Sequence, residues 1–380
     1  MSRALTDEQR DLVDAIGRFC LHESGTKEQL DELTDHGKEQ HNQALYEKMA
    51  QLGWLGIYIP EGYGGAGLGM VDLCLFLEET AYGRAPITGF GTTIIAAATY
   101  GKYGTEEQKR TILEGVPQGR VEAVSMSEPG AGSDVGALSC RAEPTKGGYV
   151  VNGQKTWCSN AHIADHILLT ARTSREGSKH EGLTQFLVPT GTEGLEISGI
   201  DTMGGRDVND LYFTDCFLPD SAVVGTPGQG WSQLMAGLNL ERMILAALMM
   251  GTARRAFDDT LDYVRQREQF GRPVGSFQAL KHRIADMATE IECARLLLDD
   301  VAATIDAEPD RVFAREASMA KLKCTELAKH VTLEGMQMMG GYGYATEYGM
   351  ESLLRSTVVS TVYGGTSEIQ RDIIGKTYGL

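Results

Sequence analysis

A chain of 380 residues, 42% hydrophobic and 23% charged, suits two or three globular domains with a sizeable core. Its formal charge of −17 at pH 7 argues against nucleic-acid or anionic-membrane partners, which call for clustered Lys and Arg. Seven scattered cysteines without a CxxC pair point to reduced thiols, and no window of about 18 uncharged apolar residues offers a membrane span. The opening MSRALTDEQR has neither a secretory apolar stretch nor an Arg/Ser-rich amphipathic leader, so a cytoplasmic location is expected. Glycine is the outlier: 46 residues, against a usual share of ~7%, point to many tight turns or backbone packed close to ligands.

In chain order the hydrophobic period changes twice. From Thr6 to about Val116 it is helical, with capping-box signals at TDEQ (Thr6–Gln9) and TEEQ (Thr105–Gln108). From about Val121 to Val224 short β-branched runs alternate with turn residues: HILLTART, LTQFLVP, LEISGI and DLYFTDCFLP read as strands, and Asn152-Gly153 within GGYVVNGQKTWCSN reads as a hairpin turn. From Gly230 onward long helical patterns return. The expected fold is therefore α+β and multidomain: a helical N-terminal domain (1–118), a central antiparallel β barrel or sandwich (119–228) and a C-terminal helical bundle (229–380).

GYGGAG (Gly62–Gly67) matches a dinucleotide fingerprint, but its flanks are helical and no βαβ unit follows, so it reads as a loop. His162 and His166 have a metal-ligand spacing without a helix or a third ligand, so no metal is expected. SMSEPGAGSDVGAL (Ser125–Leu138) places small hydroxyl residues beside a Gly-Ala-Gly-Ser-Asp turn whose free N–H groups suit a phosphate or a polar ring edge; a plain turn explains it equally well. KTWCSN (Lys155–Asn160) adds an aromatic and a hydroxyl that could flank a flat cofactor. Between Trp231 and Ala253 only Glu241 and Arg242 are charged, and Leu234, Leu238 and Leu245 share the helical face of Glu241. Adjacent helical residues do not face each other, so Arg242 is no simple partner. A desolvated carboxylate there would suit a general base, and a Glu bridged to an Arg of another helix is the alternative.

SEPGAGSD, GQKTWCSNA, RQREQFGRPVGSFQAL, QMMGGYGYATEYGMESLLR and YGGTSEIQR stand in the order and spacing of the acyl-CoA dehydrogenase family of flavoproteins, which the chain resembles over nearly its whole length. That family's fold is a helical N-terminal domain, a central β domain and a C-terminal four-helix domain. The resemblance implies FAD. Val124, Met126, Ser127, Gly132 and Ser133 would line the flavin and pyrophosphate, with Ser133 also near the acyl-CoA. Trp157 and Ser159 would cover a flavin face; many relatives have Thr at the latter position. Arg267, Phe270, Gln278, Gln337, Gly340 and Gly341 would reach the FAD of a neighbouring subunit in a homotetramer built as a dimer of dimers. Thr366 and Glu368 would close over the cofactor at a helix N-terminus, and Asn239, Arg242 and Gly365 would border the substrate.

One position departs from the common pattern. Many relatives carry the catalytic glutamate where this chain has Gly364, whereas a branch resembling isovaleryl- and long-chain acyl-CoA dehydrogenases carries it within an ER pair on the first helix of the C-terminal domain. GLNLERMIL supplies that pair, which makes Glu241 the expected base. Gly364 would keep a backbone role, its N–H joining an FAD ribityl hydroxyl at the thioester oxygen. The expected activity is α,β-dehydrogenation of an acyl-CoA, with electrons passed to an electron-transferring flavoprotein. The alternatives are an enoyl-thioester reductase or a dehydrogenase of carrier-protein-bound acyl groups, a flavin oxidase or monooxygenase, and a non-catalytic relative that would lack flavin.

Overall fold

The computed structural model describes residues 4–380. Six helices come first: α1 (Asp7–Ser24), α2 (Lys27–Leu33), α3 (Gln43–Gln51), α4 (Met70–Tyr82), α5 (Gly89–Tyr103) and α6 (Glu106–Leu113). Both expected capping boxes form. Thr6 Oγ1 accepts from Gln9 N at 3.2 Å while Gln9 Oε1 accepts from Thr6 N at 3.2 Å, and Thr105 and Gln108 do the same at 3.3 and 3.0 Å. A third box, Thr26 with Gln29, starts α2. Each such cap contributes about 1 kcal/mol to its helix.

The strands are β1 (Glu122–Ser125), β2 (Arg141–Thr145), β3 (Gly148–Ser159), β4 (His166–Arg172), β5 (Leu183–Pro189), β6 (Leu195–Thr202), β7 (Gly205–Pro219) and β8 (Val223–Val224). They form one sheet in the order β6-β7-β3-β2-β4-β5-β8, with β1 on β4. Antiparallel pairing dominates, as expected, but β1–β4 and the single β2–β4 contact are parallel.

Asn152-Gly153 is not a hairpin turn. It lies inside β3, where the register against β7 shifts between Val151 and Gly153, and the β2–β3 turn is made instead by Lys146-Gly147. Gly153 adopts φ 146°, and a Cβ there would stand 2.8 Å from Cys140 Cα. A bulge pressed against a neighbouring backbone needs glycine as much as a tight turn does, so the dipeptide alone cannot separate them.

The remaining elements are α7 (Gly230–Gln266), β9 (Glu268–Gln269), β10 (Arg272–Pro273), α8 (Gln278–Ala307), α9 (Ala314–Met339), α10 (Gly341–Tyr344), α11 (Met350–Val358) and α12 (Ser367–Lys376). GYGGAG begins within a 3₁₀ turn at Glu61–Tyr63 and continues as the loop that leads to α4. By length and composition α7 could cross a membrane, which the sequence reading did not anticipate. It carries the Glu241–Arg242 pair, and half of its most apolar window is buried by the fold, as in the core helix of a globular protein.

The chain forms two compact units, one of residues up to Gly37, Gly69–Ala85 and Glu241–Leu380, the other of Lys38–Leu68 and Pro86–Leu240. The second holds the sheet with α3, α5 and α6. In the first, α9 packs on α8, α10, α11 and α12, and α4 packs on α1 and α8. Ala317, Ala320, Cys324, Ala328 and Val331 are buried along α9, small side chains that let its neighbours approach closely. Glu78 on α4 binds Arg254 of α7 at 2.6 Å and Arg295 of α8, tying three helices with one carboxylate.

Candidate active site

In the sheet-bearing unit, β1 and the loop after it are seated on the end of β3. Thr156 N donates to Ser127 O at 3.0 Å, Lys155 Nζ to Met126 O at 2.8 Å, and Cys158 Sγ to Val124 O at 3.4 Å. Sequence reading placed Glu128 within the Val124–Ser133 stretch expected to line the flavin but gave it no role of its own; it organises this loop from within. Its carboxylate accepts from Ser139 N at 2.6 Å, Ser139 Oγ and Cys140 N at 2.9 Å, and pairs with fully buried Lys155 at 2.8 Å. Burial opposes charge on Glu128, but Lys155 and the N–H donors outweigh it and hold its carboxyl below its ordinary value.

With the loop pinned in this way, part of it stays open. Among the described residues, the N–H groups of Gly130, Gly132 and Ser133 donate to no protein group, and Gly132 and Ser133 are exposed while Val124, Met126 and Ser127 are half-buried. Trp157 sits within β3 where the register against β7 shifts between Lys155 and Cys158, with 60% of its surface exposed and a left-handed φ of 59°, a conformation costing about 1–2 kcal/mol in a non-glycine residue. Ser159 lies two residues on, half-buried. An exposed indole beside free N–H donors fits a flat ring carrying phosphates, so these residues fit FAD.

Beneath this loop β1 buries a second carboxylate. Glu122 is fully buried, and its Oε1 lies 3.1 Å from Nδ1 of His166. His162 contacts Asn209. Among the described residues no three His, Cys, Asp or Glu gather as a metal site. Burial pushes Glu122 up to about 7 against the pull of His166. A carboxyl that holds its proton in the fold to about pH 7, but loses it near 4.5 when unfolded, costs stability as pH rises between those values. Glu122→Gln is therefore expected to stabilise the protein by about 1–3 kcal/mol at pH 8 and little at pH 4, read from thermal unfolding at the two pH values; an equal change at both would refute the assignment.

In the helical unit, α7 presents Glu241 half-buried and Arg242 buried. Burial dominates at Glu241 and raises its carboxyl above the ordinary glutamate value, while the charges of Arg242 and Lys321 pull the other way through space. Gly364 sits before α12 at φ 60°, and a Cβ on it would lie 3.6 Å from Glu241 Oε1 and 2.2 Å from Leu245 Cδ1. The turn's carbonyls are tied down: Gln370 Nε2 donates to Gly364 O at 2.9 Å and Gly365 O at 3.0 Å. Among the described residues the Gly364 N–H has no acceptor. Thr366 caps α12, its Oγ1 accepting from Ile369 N at 3.3 Å, and exposed Glu368 lies in the first turn. Asn239 is half-buried on α7.

The other expected residues lie far from this turn. α7 runs on for about 38 Å from Glu241 to Gln266, and Arg267 follows. There the guanidinium of Arg267 covers the Tyr342 ring at 5.3 Å, which brings it to the α9–α10 corner formed by Gln337, Gly340 and Gly341. Phe270 stands at the tip of the β9–β10 hairpin, 93% exposed at φ 56°, and Gln278 opens α8. Lys321 was also missed. It is fully buried on α9, and its spacing among Ala317, Cys324 and Ala328 was the available signal, a lysine on an apolar stripe.

Comparison with known proteins agrees along the full length. Family models described as the N-terminal, middle and C-terminal domains of acyl-CoA dehydrogenase match residues 6–120, 123–216 and 228–379. The chain is similar to a mitochondrial isovaleryl-CoA dehydrogenase of Solanum tuberosum, 36% identical over 97% of this chain and 90% of that one. An acyl-CoA dehydrogenase structure from Geobacillus kaustophilus superposes with a TM-score of 0.93 at 32% identity, covering all of both chains. A structure described as the FAD complex of PigA gives 0.91 at 28%, again over both whole chains. The chain belongs to the acyl-CoA dehydrogenase family, and is an FAD-dependent oxidoreductase of that family.

Proposed function

We propose that the chain catalyses α,β-dehydrogenation of an acyl-CoA thioester to the trans-2-enoyl-CoA, with Glu241 as the base and an electron-transferring flavoprotein as the acceptor. The observation that carries this reading is the carboxylate of Glu241 facing a glycine, Gly364, whose N–H is unclaimed. Glu241 takes the α proton onto its carboxylate. Negative charge then develops on the thioester oxygen, where the Gly364 N–H donates. Bound FAD supplies the acceptor for the β hydride. Val124, Met126, Ser127, Gly132, Ser133, Trp157, Ser159, Thr366 and Glu368 would hold the cofactor, while Ser133, Asn239, Arg242 and Gly365 would border the substrate. The similarity to an isovaleryl-CoA dehydrogenase makes short branched acyl-CoAs the first substrates to test. Anaerobic bleaching of the flavin by isovaleryl-, 2-methylacyl- and straight-chain acyl-CoAs tests the reading; no bleaching by any of them, or bleaching that Glu241→Gln leaves unchanged, would refute it.

The span between Glu241 and Arg267 supports a second element of the proposal. One chain offers two separate sets of cofactor residues, so Arg267, Phe270, Gln278 and Gln337–Gly341 serve the FAD of a neighbouring copy within a homotetramer. Arg267→Ala is expected to weaken FAD retention about 10–100-fold, from loss of charge-assisted contacts worth ~1.5–3 kcal/mol. Dialysis with fluorescence detection of released flavin measures it, and a monomer in light scattering that keeps its full flavin would count against the assignment.

A further inference from the structure

Lys321 has no exposed surface, yet its Nζ meets two neutral acceptors, donating to Ser360 O and Gly365 O at 2.9 Å each. These carbonyls bracket Gly364 in the chain, and Gln370 holds the carbonyls of Gly364 and Gly365 from the other side. Two helices, α9 and α12, thus fix one short turn. A buried amide such as Gln370 can hold carbonyls without carrying charge, whereas a buried ammonium is paid for by desolvation that hydrogen bonds to neutral acceptors do not recover. Its charge therefore calls for a partner, and the carboxylate that acts on it most is that of Glu241. The charged groups that act on Lys321 through space are Glu241, Arg242, Glu326 and Glu368, and those that act on Glu241 are Arg242 and Lys321.

We propose that Lys321 is a positioning residue for the dehydrogenation: it pins the Gly364 turn beside Glu241 and supplies a buried positive charge that keeps that carboxylate ionised. The inference rests on Glu241 being the base. Burial alone favours the protonated acid, which cannot accept the α proton, and the positive charge opposes this. Burial brings Lys321 itself down to about 8, against the pull of Glu241, so it carries its charge at neutral pH.

Two variants separate the parts. Lys321→Met removes charge and hydrogen bonds at similar length, and Lys321→Gln keeps a donor without the charge. Each is purified with FAD, and the limiting rate of anaerobic bleaching by acyl-CoA is followed against pH. Infrared difference titration of the carboxylate, assigned by its loss in Glu241→Gln, gives a readout independent of turnover. In both variants the acid limb and the infrared midpoint should move to higher pH by about one unit, with about a tenfold loss of limiting rate on the acid side of the wild-type midpoint. Lys321→Gln should recover at high pH, and Lys321→Met only in part because its turn is unpinned. An unmoved midpoint in either folded variant overturns the proposal while leaving Glu241 as the base. Should neither variant fold with FAD, the wild-type infrared band decides: it should respond to a second ionisation near pH 8, and no response overturns the proposal. Bleaching by Glu241→Gln at the wild-type rate overturns the base reading and this inference with it.

Discussion

Glu241→Gln is expected to fold, keep its FAD and lose about 10²–10⁴-fold in the rate of anaerobic flavin bleaching, the usual cost of removing a general base. The upper end is expected, because the charged groups acting on Glu241 are both cations, Arg242 and Lys321, and neither can take over as a carboxylate base. The amide is nearly isosteric, so the side chain's place beside the Gly364 turn survives. The wild-type rate should rise with pH through the ionisation of Glu241. Burial raises that ionisation above the ordinary glutamate value, so the acid limb lies above pH 4.5. Rapid-mixing absorbance measurements of both proteins across pH check this. An acid limb that persists unchanged in Glu241→Gln would assign it to another group.

Moving the base to the position used by many relatives is expected to fail in the simple double variant. Glu241→Gly with Gly364→Glu puts a side chain where a Cβ would stand 2.2 Å from Leu245 Cδ1, on a backbone at φ 60° that costs about 1–2 kcal/mol for a non-glycine residue. Leu245 lies one turn after Glu241 on the same face, so it fills the space that a glutamate at 364 would need. Adding Leu245→Ala to the pair should recover about tenfold or more of the lost bleaching rate, since it removes the overlap that overpacking would otherwise turn into strain. Equal rates in the double and triple variants would show that Leu245 is not the obstacle. Gly364→Ala alone should lower the thermal midpoint and slow bleaching, because a methyl there must displace Leu245 beside the base.

What the sequence determined by itself was whatever is written in local order. Cap signals such as Thr6–Gln9, hydrophobic periods of helix and strand, and motifs with characteristic order act over a few residues or repeat along the chain, so a single string displays them. Glu241 was legible as a candidate for the same reason: it and its neighbour Arg242 are the only charges in the apolar stretch from Trp231 to Ala253. The tertiary structure decided what depends on partners distant in the chain. Gly153 became a bulge because Cys140 lies against it. Glu128 became the organiser of its loop because Lys155, 27 residues away, is buried beside it. Gly364 is bound to remain glycine by Leu245, 119 positions earlier, and by a turn pinned from Lys321 and Gln370. The length of α7 separated Glu241 from Arg267 into two sets of residues. Propensity and pattern are short-range, whereas desolvation, steric exclusion and charge act through space, and only the folded chain states which residues share that space.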